Sequence, residues 1–453
     1  MTVIAKAAAA RRELAGFGRT SKSAAEVVRP ASLEQLQELV AGQAGAAAGV
    51  LARGAGLSYG DAAQNGGGVV VSPVTGPGVE LDATNELVTA SAGTTFAEIL
   101  TRVVPGGFIL PVLPGTRHLT VGGAVGADVH GKNHRQAGSL AAWIDQIDLV
   151  DGTGGLRRLT PGSDPAGLQA TCGGMGLTGI VVAASIRLRR IETGLIRVTA
   201  RRTPDLDATL SVMAAATTEY SVAWVDATAS GRSLGRGIVE TADHALLADV
   251  PAASPSLSYR QQPGLRMPAL PVPIITPLTA RAFNSLWFAK APGERTGLVD
   301  LATFFHRLDA VSGWNRAAGP DGLIQYQFVV PAGAENIIAA VLDAVQRSRC
   351  APFLGTLKRF GAISAGPLSF PAPGWCLAVD LPAGAPSLRA LLAGLDIRVA
   401  SAGGRVYLAK DATLSQNAFE SMYSSLPAWR EARARLDPLE RFQSDLGRRV
   451  GLC

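Results

Sequence analysis

Three stretches rich in glycine and other small residues, all within the first 180 positions, constrain this 453-residue chain most. They are Ala52-Arg-Gly-Ala-Gly-Leu-Ser-Tyr-Gly-Asp61, residues 114–134, and Gly173-Gly-Met-Gly-Leu-Thr-Gly-Ile180. Glycine allows close backbone approach and positive φ, so that successive N–H groups can point at one anion. Each stretch alone also fits an ordinary tight turn. Three in one region favour a backbone surface shaped around a large ligand.

The first stretch is interpreted as a cradle for a pyrophosphate. It has no GKS or GKT sequence as in a Walker A loop, and it lacks the spacing of a GxGxxG dinucleotide fingerprint. In the second stretch, small residues run almost unbroken over residues 120–127, so the chain is thin enough to lie flat against a planar ligand.

Polar side chains follow this thin stretch at His130, Lys132, Asn133 and His134. The two histidines have the i, i+4 spacing of a zinc pair, but Gly131 and Asn133 are poor helix formers and no HExxH acid is present. The sequence therefore predicts no metal site.

Length and composition restrict the class of protein. A chain of 453 residues exceeds the roughly 250–300 residues of a single core, which predicts two domains with a boundary near residue 192. No apolar run approaches the ~20 residues of a membrane span, and no secretory signal is recognised. The four cysteines have no CxxC spacing, so neither zinc nor a disulfide framework is expected, and a reducing compartment fits best.

The formal charge of +6 suits a phosphate-bearing ligand or an anionic membrane surface without requiring either. Basic residues are scattered and not interleaved with aromatic residues, so no nucleic-acid partner is predicted.

Local patterns predict a mixture of helices and strands. Capping boxes at Ser32-Leu-Glu-Gln35 and Thr95-Phe-Ala-Glu98 predict two helix starts. Strands are predicted at 49–53, 69–72, 87–92, Tyr220–Val225 and Leu323–Val330. A strand, a Pro-Ala-Gly-Ala turn and a helix occur twice, at 325–345 and at 376–395. This repeat predicts an antiparallel sheet with helices on one face, which is an α+β fold.

The order ARGAGLSYGD, PGTRHLTVGGAVGADVHGKNH and GGMGLTGI resembles the FAD-binding domain, of PCMH type, in the vanillyl-alcohol oxidase superfamily. QYQ at 325–327 and AKD at 409–411 extend the resemblance to sugar-oxidising members over nearly the whole chain. It implies a two-domain α+β flavoprotein with an FAD-binding domain at 5–191, an antiparallel-sheet substrate domain at 192–404, and a segment at 405–453 that returns to the FAD domain.

The resemblance implies a set of flavin contacts. They are Ala52, Arg53, Gly54, Ala55, Gly56, Leu57, Ser58, Tyr59, Gly60, Asp61, Ala62, Gly115, Thr120, Val121, Gly122, Gly123, Ala127, Asp128, Val129, His130, Ile180 and Tyr407. Relatives with covalent flavin commonly carry histidine where this chain has Leu57, so noncovalent FAD is expected.

The resemblance also implies residues around the reacting carbon. The implied catalytic residues are Lys410, His130, Gln327 and Tyr59, and the implied substrate contacts are Lys132, Trp224, Gln325, Lys358 and Ala378. Either Lys410 is the base, or it holds the hydroxyl as a cationic donor while His130 or water takes the proton. Ala378 stands where the best-known members carry a cysteine beside the flavin, and Cys376, two residues earlier, shares that face of a strand.

The activity so implied is FAD-dependent oxidation of the 2′-hydroxyl of a polyprenyl-phosphoryl-β-D-ribofuranose to the 2′-keto sugar. This is the first half of an epimerisation to the arabinose form for cell-wall arabinan, completed by a separate NAD(P)H-dependent keto-sugar reductase. The alternatives are an oxidase of another sugar, an aldonolactone or a secondary-metabolite glycoside, and a flavin-binding subunit without turnover. The expected location is cytoplasmic or membrane-associated at the cell envelope, with residues 263–277 as an apolar flap that contacts the membrane.

Overall fold

The computed structural model describes residues 9–42, 48–73, 78–250, 257–259, 264–269, 271–348, 350–361 and 366–453. The predicted apolar flap at 263–277 lies partly outside these residues, since positions 263 and 270 are not among them.

Two sheets and a two-stranded ribbon form the N-terminal part. The first sheet has, in spatial order, β1 (Ala9–Ala15), β2 (Lys22–Val28), β4 (Val69–Val71) and β3 (Val50–Ala52). The second has β5 (Val79–Asp82), β6 (Leu87–Ser91), β10 (Ile180–Arg187), β8 (Ile144–Val150) and β9 (Leu156–Leu159). The ribbon pairs β7 (Phe108–Ile109) with β11 (Arg189–Arg190). The helices are α1 (Leu33–Gly42), α2 (Phe96–Val103), α3 (Val121–Gly126), α4 (His134–Ala137) and α5 (Pro165–Thr171).

Both predicted capping boxes begin helices. At α2 the box is reciprocal: Glu98 N donates to Thr95 Oγ1 at 3.3 Å, and Thr95 N donates to Glu98 Oε2 at 2.7 Å. At α1 the Gln35 backbone N–H bonds Ser32 Oγ at 3.3 Å, but the Gln35 side chain accepts from Ala31 N instead of Ser32 N. The first helical turn is satisfied in both cases.

An eight-stranded antiparallel sheet dominates the rest of the chain. Its spatial order is β16 (Glu294–Asp300), β12 (Leu195–Thr203), β14 (Gly237–His244), β13 (Tyr220–Val225), β19 (Leu354–Phe360), β20 (Gly374–Pro382), β18 (Leu323–Val330) and β21 (Arg405–Val406). A short parallel pair joins β15 (Leu265–Arg266) to β17 (Val311–Ser312). The helices are α6 (Leu206–Ala215), α7 (Pro277–Lys290), α8 (Leu301–Phe305), α9 (Glu335–Arg347), α10 (Leu388–Ser401), α11 (Gln416–Met422), α12 (Leu426–Leu436) and α13 (Asp445–Val450).

The predicted repeat is confirmed as β18–α9 and β20–α10, whose strands are neighbours in the sheet. Side chains alternate along a strand, so Phe328 points to the side on which buried residues of α9 and α10 complete the main core. Gln325 and Gln327 point to the other side of the sheet, which leaves that side for a ligand. The α+β class is confirmed, whereas the domain limits at 191 and 404 stay a prediction.

The C-terminal segment packs against the N-terminal part. Trp429 of α12 donates its indole N–H to Ala170 O of α5 at 3.1 Å. Arg449 of α13 forms a two-point ion pair with Asp61 at 2.8 and 2.7 Å and approaches Asp411 at 2.9 Å. No helix in the described ranges is long and apolar enough to cross a membrane.

We expect Arg449→Met to destabilise the protein, because it leaves Asp61 and Asp411 without their cation. Removing one partner of a buried pair costs about 3–5 kcal/mol, and Arg449, whose side chain is 25% exposed, belongs at the lower end. The melting temperature should fall by about 5 °C or more. Arg430→Met, which breaks an exposed pair with Glu420, is the control and should change it by about 2 °C at most. Equal losses in the two variants would contradict this assignment.

Candidate active site

A cavity of about 890 Å³ is lined by the glycine-rich stretches on one side and by the large sheet on the other. Each of the three stretches predicted from the sequence contributes to its wall.

The first glycine-rich loop is packed too tightly for a larger residue. A Cβ on Gly54 would lie 2.1 Å from Thr120 Oγ1, which belongs to the second stretch. The guanidinium of Arg53 donates to Ala63 O at 2.6 Å and to Ala15 O at 2.7 Å, so this cation holds the loop itself. Residues 52–59 and 62 of this loop line the cavity.

The second stretch is helical between residues 121 and 126, as α3. Thr120 caps it by accepting from Gly123 N at 3.4 Å. The third stretch hydrogen-bonds to its end, because Gly173 N donates to Val125 O at 2.9 Å and Met175 N donates to Gly126 O at 2.8 Å. The small residues thus allow three backbones to pack together.

Eighteen of the 22 predicted flavin contacts line the cavity. The other four, Gly60, Asp61, Val121 and Asp128, do not.

Each of these four has a structural reason for its place. Asp61 is paired with Arg449, and Val121 is fully buried in the core. A Cβ on Gly60 would lie 2.0 Å from Asp411 O. Asp128 accepts from Ser139 Oγ at 2.7 Å, Ser369 Oγ at 2.6 Å and the backbone N–H of residue 141 at 2.8 Å. These four residues contact other parts of the protein behind the cavity wall instead of lining the cavity.

Strand register places the predicted substrate residues on one face of the sheet. Trp224 pairs with Thr356, Thr356 with Ala378, and Ala378 with Gln327, and this row runs across four strands. Directly paired residues in antiparallel strands point to the same side. All four line the cavity, so the row forms its floor.

Two flanking rows continue this floor. Lys358 pairs with Cys376 on one side of the central row, and Gln325 pairs with Asp380 on the other. Cys376 therefore shares the face of Ala378 but lies one row away. It is 1% exposed, Gln327 Nε2 lies 3.4 Å from its sulfur, and burial raises its pKa to about 11. This is an unreactive thiol.

His130 meets the floor from the opposite side. Its Nε2 lies 2.8 Å from Gln327 Nε2, so the amide donates to the imidazole. Burial lowers the pKa of His130 well below its usual value, and the positive charges of Lys358 and Lys410 add to this effect. Its Nδ1 is buried without a hydrogen-bond partner in the described part of the chain. His130 is therefore a neutral ring with one nitrogen left for a ligand.

Three lysines line the cavity in different surroundings. Lys410 Nζ lies 3.9 Å from the centre of the Tyr59 ring, and burial lowers its pKa, an effect that Asp380 opposes. Lys132 donates to Phe304 O at 2.5 Å and lies 3.9 Å from Glu240, and burial lowers its pKa to about 8. Burial also lowers the pKa of Lys358.

Some residues of the site were not predicted. Asp380 is buried against Gln325, and Phe283 and Trp287 of α7 line the opening. Asp380 was detectable in principle, because the alternation that relates Cys376 to Ala378 continues to it. The two aromatic residues carried no local signal, since only the fold brings α7 to the cavity.

The site suits a large cofactor with a pyrophosphate and a planar ring system. The tight Gly54 contact, the three stretches of small residues in the wall and the free nitrogen of His130 all fit such a group. Among the described residues, no three His, Cys, Asp or Glu side chains are grouped to hold a metal.

Comparison with known proteins identifies this cofactor. Residues 24–160 match the FAD binding domain family. A decaprenylphosphoryl-β-D-ribose oxidase of Mycolicibacterium smegmatis is 38% identical over 97% of this chain and 98% of its own length. The chain belongs to the decaprenylphosphoryl-β-D-ribose oxidase family.

Two other relatives match a smaller share of this chain. An uncharacterized protein of Streptomyces coelicolor is 40% identical over 77% of this chain and 98% of its own length. An alditol oxidase of a Streptomyces species is 33% identical over 38% of this chain and 40% of its own length. The protein is an FAD-dependent oxidoreductase, as the sequence predicted. The individual flavin contacts stay predictions. The noncovalent binding of FAD, expected because Leu57 replaces the histidine of covalent relatives, also stays a prediction.

We expect Gly54→Ala to reduce FAD retention, because the added Cβ forces the first loop away from Thr120. The measurement is the ratio of flavin to protein absorbance after purification, and it should fall at least about tenfold. Gly394→Ala is the control, since a Cβ at that position of α10 meets no atom within 4 Å. A fully loaded Gly54→Ala protein would refute the cradle.

Proposed function

We propose that the protein oxidises the 2′-hydroxyl of a polyprenyl-phosphoryl-β-D-ribofuranose to the 2′-keto sugar. The observation that carries the proposal is the central row of the sheet, which presents Gln327, Ala378 and Trp224 to the cavity opposite His130. The full-length match to a protein named for this substrate supports it.

Bound FAD supplies the acceptor for the hydride that leaves the carbinol carbon. The protein must hold that carbon in place and remove the hydroxyl proton. Lys410 and Gln327 are proposed to orient the hydroxyl, and Tyr59 supports the Lys410 ammonium through its ring.

Lys410 suits the removal of the proton, because burial lowers its pKa and leaves part of it neutral. His130 is also neutral because its pKa is lowered, but its Nε2 accepts from the Gln327 amide, so its Nδ1 carries the ring hydrogen. His130 is therefore the base only when Nε2 gives up the Gln327 bond for the sugar hydroxyl. Trp224 and Gln325 are proposed to contact the sugar. Lys358 is proposed to pair with an anionic group, while Lys132 already bonds Phe304 O and faces Glu240.

We propose that the keto sugar passes to a separate NAD(P)H-dependent reductase that returns it with inverted configuration. The product is then the arabinose form used for cell-wall arabinan. The proposed reductase step and its product rest on the proposed substrate.

The direct test is to incubate the holoprotein with a polyprenyl-phosphoryl ribofuranose and identify the product by mass. The expected product is two hydrogens lighter than the substrate, with a carbonyl at C2′. Conversion of an alditol or aldonolactone, with the phosphoryl ribose left unchanged, would favour the alternative substrates instead.

We expect Lys410→Met to slow anaerobic flavin reduction by about 10²–10⁴-fold while FAD stays bound, because a positioned proton-transfer group contributes about that factor. Stopped-flow absorbance of the flavin is the measurement. Lys22→Met, at an exposed lysine paired with Glu13, is the control and should reduce at the wild-type rate. Unchanged reduction in Lys410→Met would remove Lys410 from the mechanism.

We also propose that the opening of the cavity docks on an anionic lipid surface. Helix α7 exposes Leu278, Phe283, Leu286 and Trp287, of which Phe283 and Trp287 also line the cavity. Contiguous exposed apolar side chains of this size mark an interaction surface. The same helix carries exposed Arg281 and Lys290, which suit anionic headgroups.

We expect the double variant Leu278→Ser, Leu286→Ser to bind vesicles containing phosphatidylglycerol at least about tenfold more weakly than wild type, because each apolar side chain loses about 1.5–3 kcal/mol of burial. Vesicle flotation measures this. Ile397→Ser is the matched control, because Ile397 is apolar and 67% exposed, between Leu278 at 78% and Leu286 at 55%, but lies on α10. Equal weakening by the control would argue against α7 as the contact.

A further inference from the structure

Asp380 is a buried carboxylate at the edge of the site. The proposed reaction assigns it no role. It is 1% exposed and sits on the cavity-facing side of β20, two residues beyond Ala378. A buried carboxylate is costly unless its oxygens are bonded or its charge is paired.

Three side chains of the proposed site surround this carboxylate. Gln325 Nε2 lies 2.9 Å from Asp380 Oδ1 and 3.0 Å from Oδ2, so one amide group serves both oxygens. The hydroxyl of Tyr59 lies near the same carboxylate and helps to lower the pKa of Asp380. Gln325 Nε2 also lies 3.4 Å from the Tyr59 hydroxyl, which closes a triangle of contacts.

Lys410 completes the group through the other part of Tyr59. Its ammonium lies 3.9 Å from the ring centre, while the hydroxyl of the same ring lies 3.4 Å from the Gln325 amide nitrogen that bonds Asp380. The backbone fixes this arrangement, since Tyr59 N donates to Ala409 O at 2.9 Å. Tyr59 is thus held between a cation and a carboxylate.

The charged and titratable groups around Asp380 are few. Tyr59 from the first loop and Lys410 from the turn after β21 face it, and Lys358 from β19 acts on Lys410. Burial raises the pKa of Asp380, and the Gln325 bond and the Lys410 charge oppose this. Burial lowers the pKa of Lys410, and the Asp380 charge opposes this. Each group therefore favours the charged form of the other.

We infer that Asp380 is a positioning residue, whose carboxylate holds Gln325 and Tyr59 at the sugar-facing side of the cavity and is the counter-ion of the Lys410 ammonium. When Lys410 takes the hydroxyl proton, the new ammonium has this negative partner. When Lys410 is the cationic donor, the same carboxylate keeps it charged. The part of this inference that concerns the sugar rests on the proposed function.

The test is the titration of Lys410 in the holoprotein, measured by trace acetylation across pH and mass spectrometry of the labelled peptide. Asp380→Asn removes the negative charge and keeps the shape. The charged form of Lys410 then loses its partner, so the midpoint of its labelling should fall by about one pH unit or more. Asp380→Glu should restore most of the wild-type midpoint.

Asp396→Asn is the matched control. Asp396 is also buried, accepts from the Tyr326 hydroxyl at 2.9 Å and serves the opposite face of the same sheet. Its substitution should leave the Lys410 midpoint in place. An unchanged midpoint in Asp380→Asn, or an equal shift in Asp396→Asn, overturns the inference.

If Asp380→Asn yields no holoprotein, Lys410→Met tests the same pair from the other side. Loss of the cation should raise the pH up to which the infrared band of the protonated Asp380 carboxyl persists, and an unchanged band would contradict the pairing. Neither titration requires turnover. A shifted Lys410 midpoint in a protein that oxidises no phosphoryl ribose therefore refutes the proposed substrate and leaves the pairing intact.

With an active substrate, the pH profile of flavin reduction adds a second readout. The limb governed by Lys410 should move to lower pH in Asp380→Asn, whether Lys410 is base or donor. A uniform loss of rate with an unmoved limb would mean a merely structural role for Asp380.

Discussion

The hydrogen bonds of the Asp128 carboxylate join the two sides of the site, and the position of His130 depends on them. Asp128 accepts from Ser139 within its own loop and from Ser369 in the segment before β20. Its backbone has φ of 40°, a conformation that asparagine and aspartate adopt more readily than most other residues. His130 follows two residues later and meets Gln327 of the sheet at 2.8 Å. These contacts fix the position of the His130 loop relative to the sheet.

The sheet positions the side chains of the site, and the small-residue segments opposite it allow close backbone packing. Antiparallel register brings Trp224, Ala378 and Gln327 into one row without any local sequence motif. Across the cavity, small residues let three backbones approach one another and a cofactor. The burial that results lowers the pKa of His130 and of Lys410 and raises that of Asp380. These shifts bring several groups towards neutrality at a site where a proton must move.

Several elements of the fold and the cofactor were predictable from the sequence. The capping box at Thr95, the strands Tyr220–Val225 and Leu323–Val330, and the repeated strand-turn-helix unit follow from local patterns, and the structure has them. The glycine-rich order and its resemblance predicted FAD. Local patterns could not show that residues 121–126 form a helix, because a run of glycine, alanine and valine is compatible with several conformations. They also could not show that Asp61 and Asp128 bond protein groups, since those partners, Arg449 and Ser369, lie hundreds of residues away.

The central claim is that the cavity holds FAD opposite the C2′–H bond of a furanose. Anaerobic flavin reduction with a polyprenyl-phosphoryl ribofuranose that carries deuterium at C2′ tests it most directly. The account predicts complete bleaching of the flavin, slowed several-fold relative to the unlabelled sugar because the C2′–H bond breaks in that step. Absence of bleaching, or bleaching slowed only by deuterium at another carbon, would contradict it.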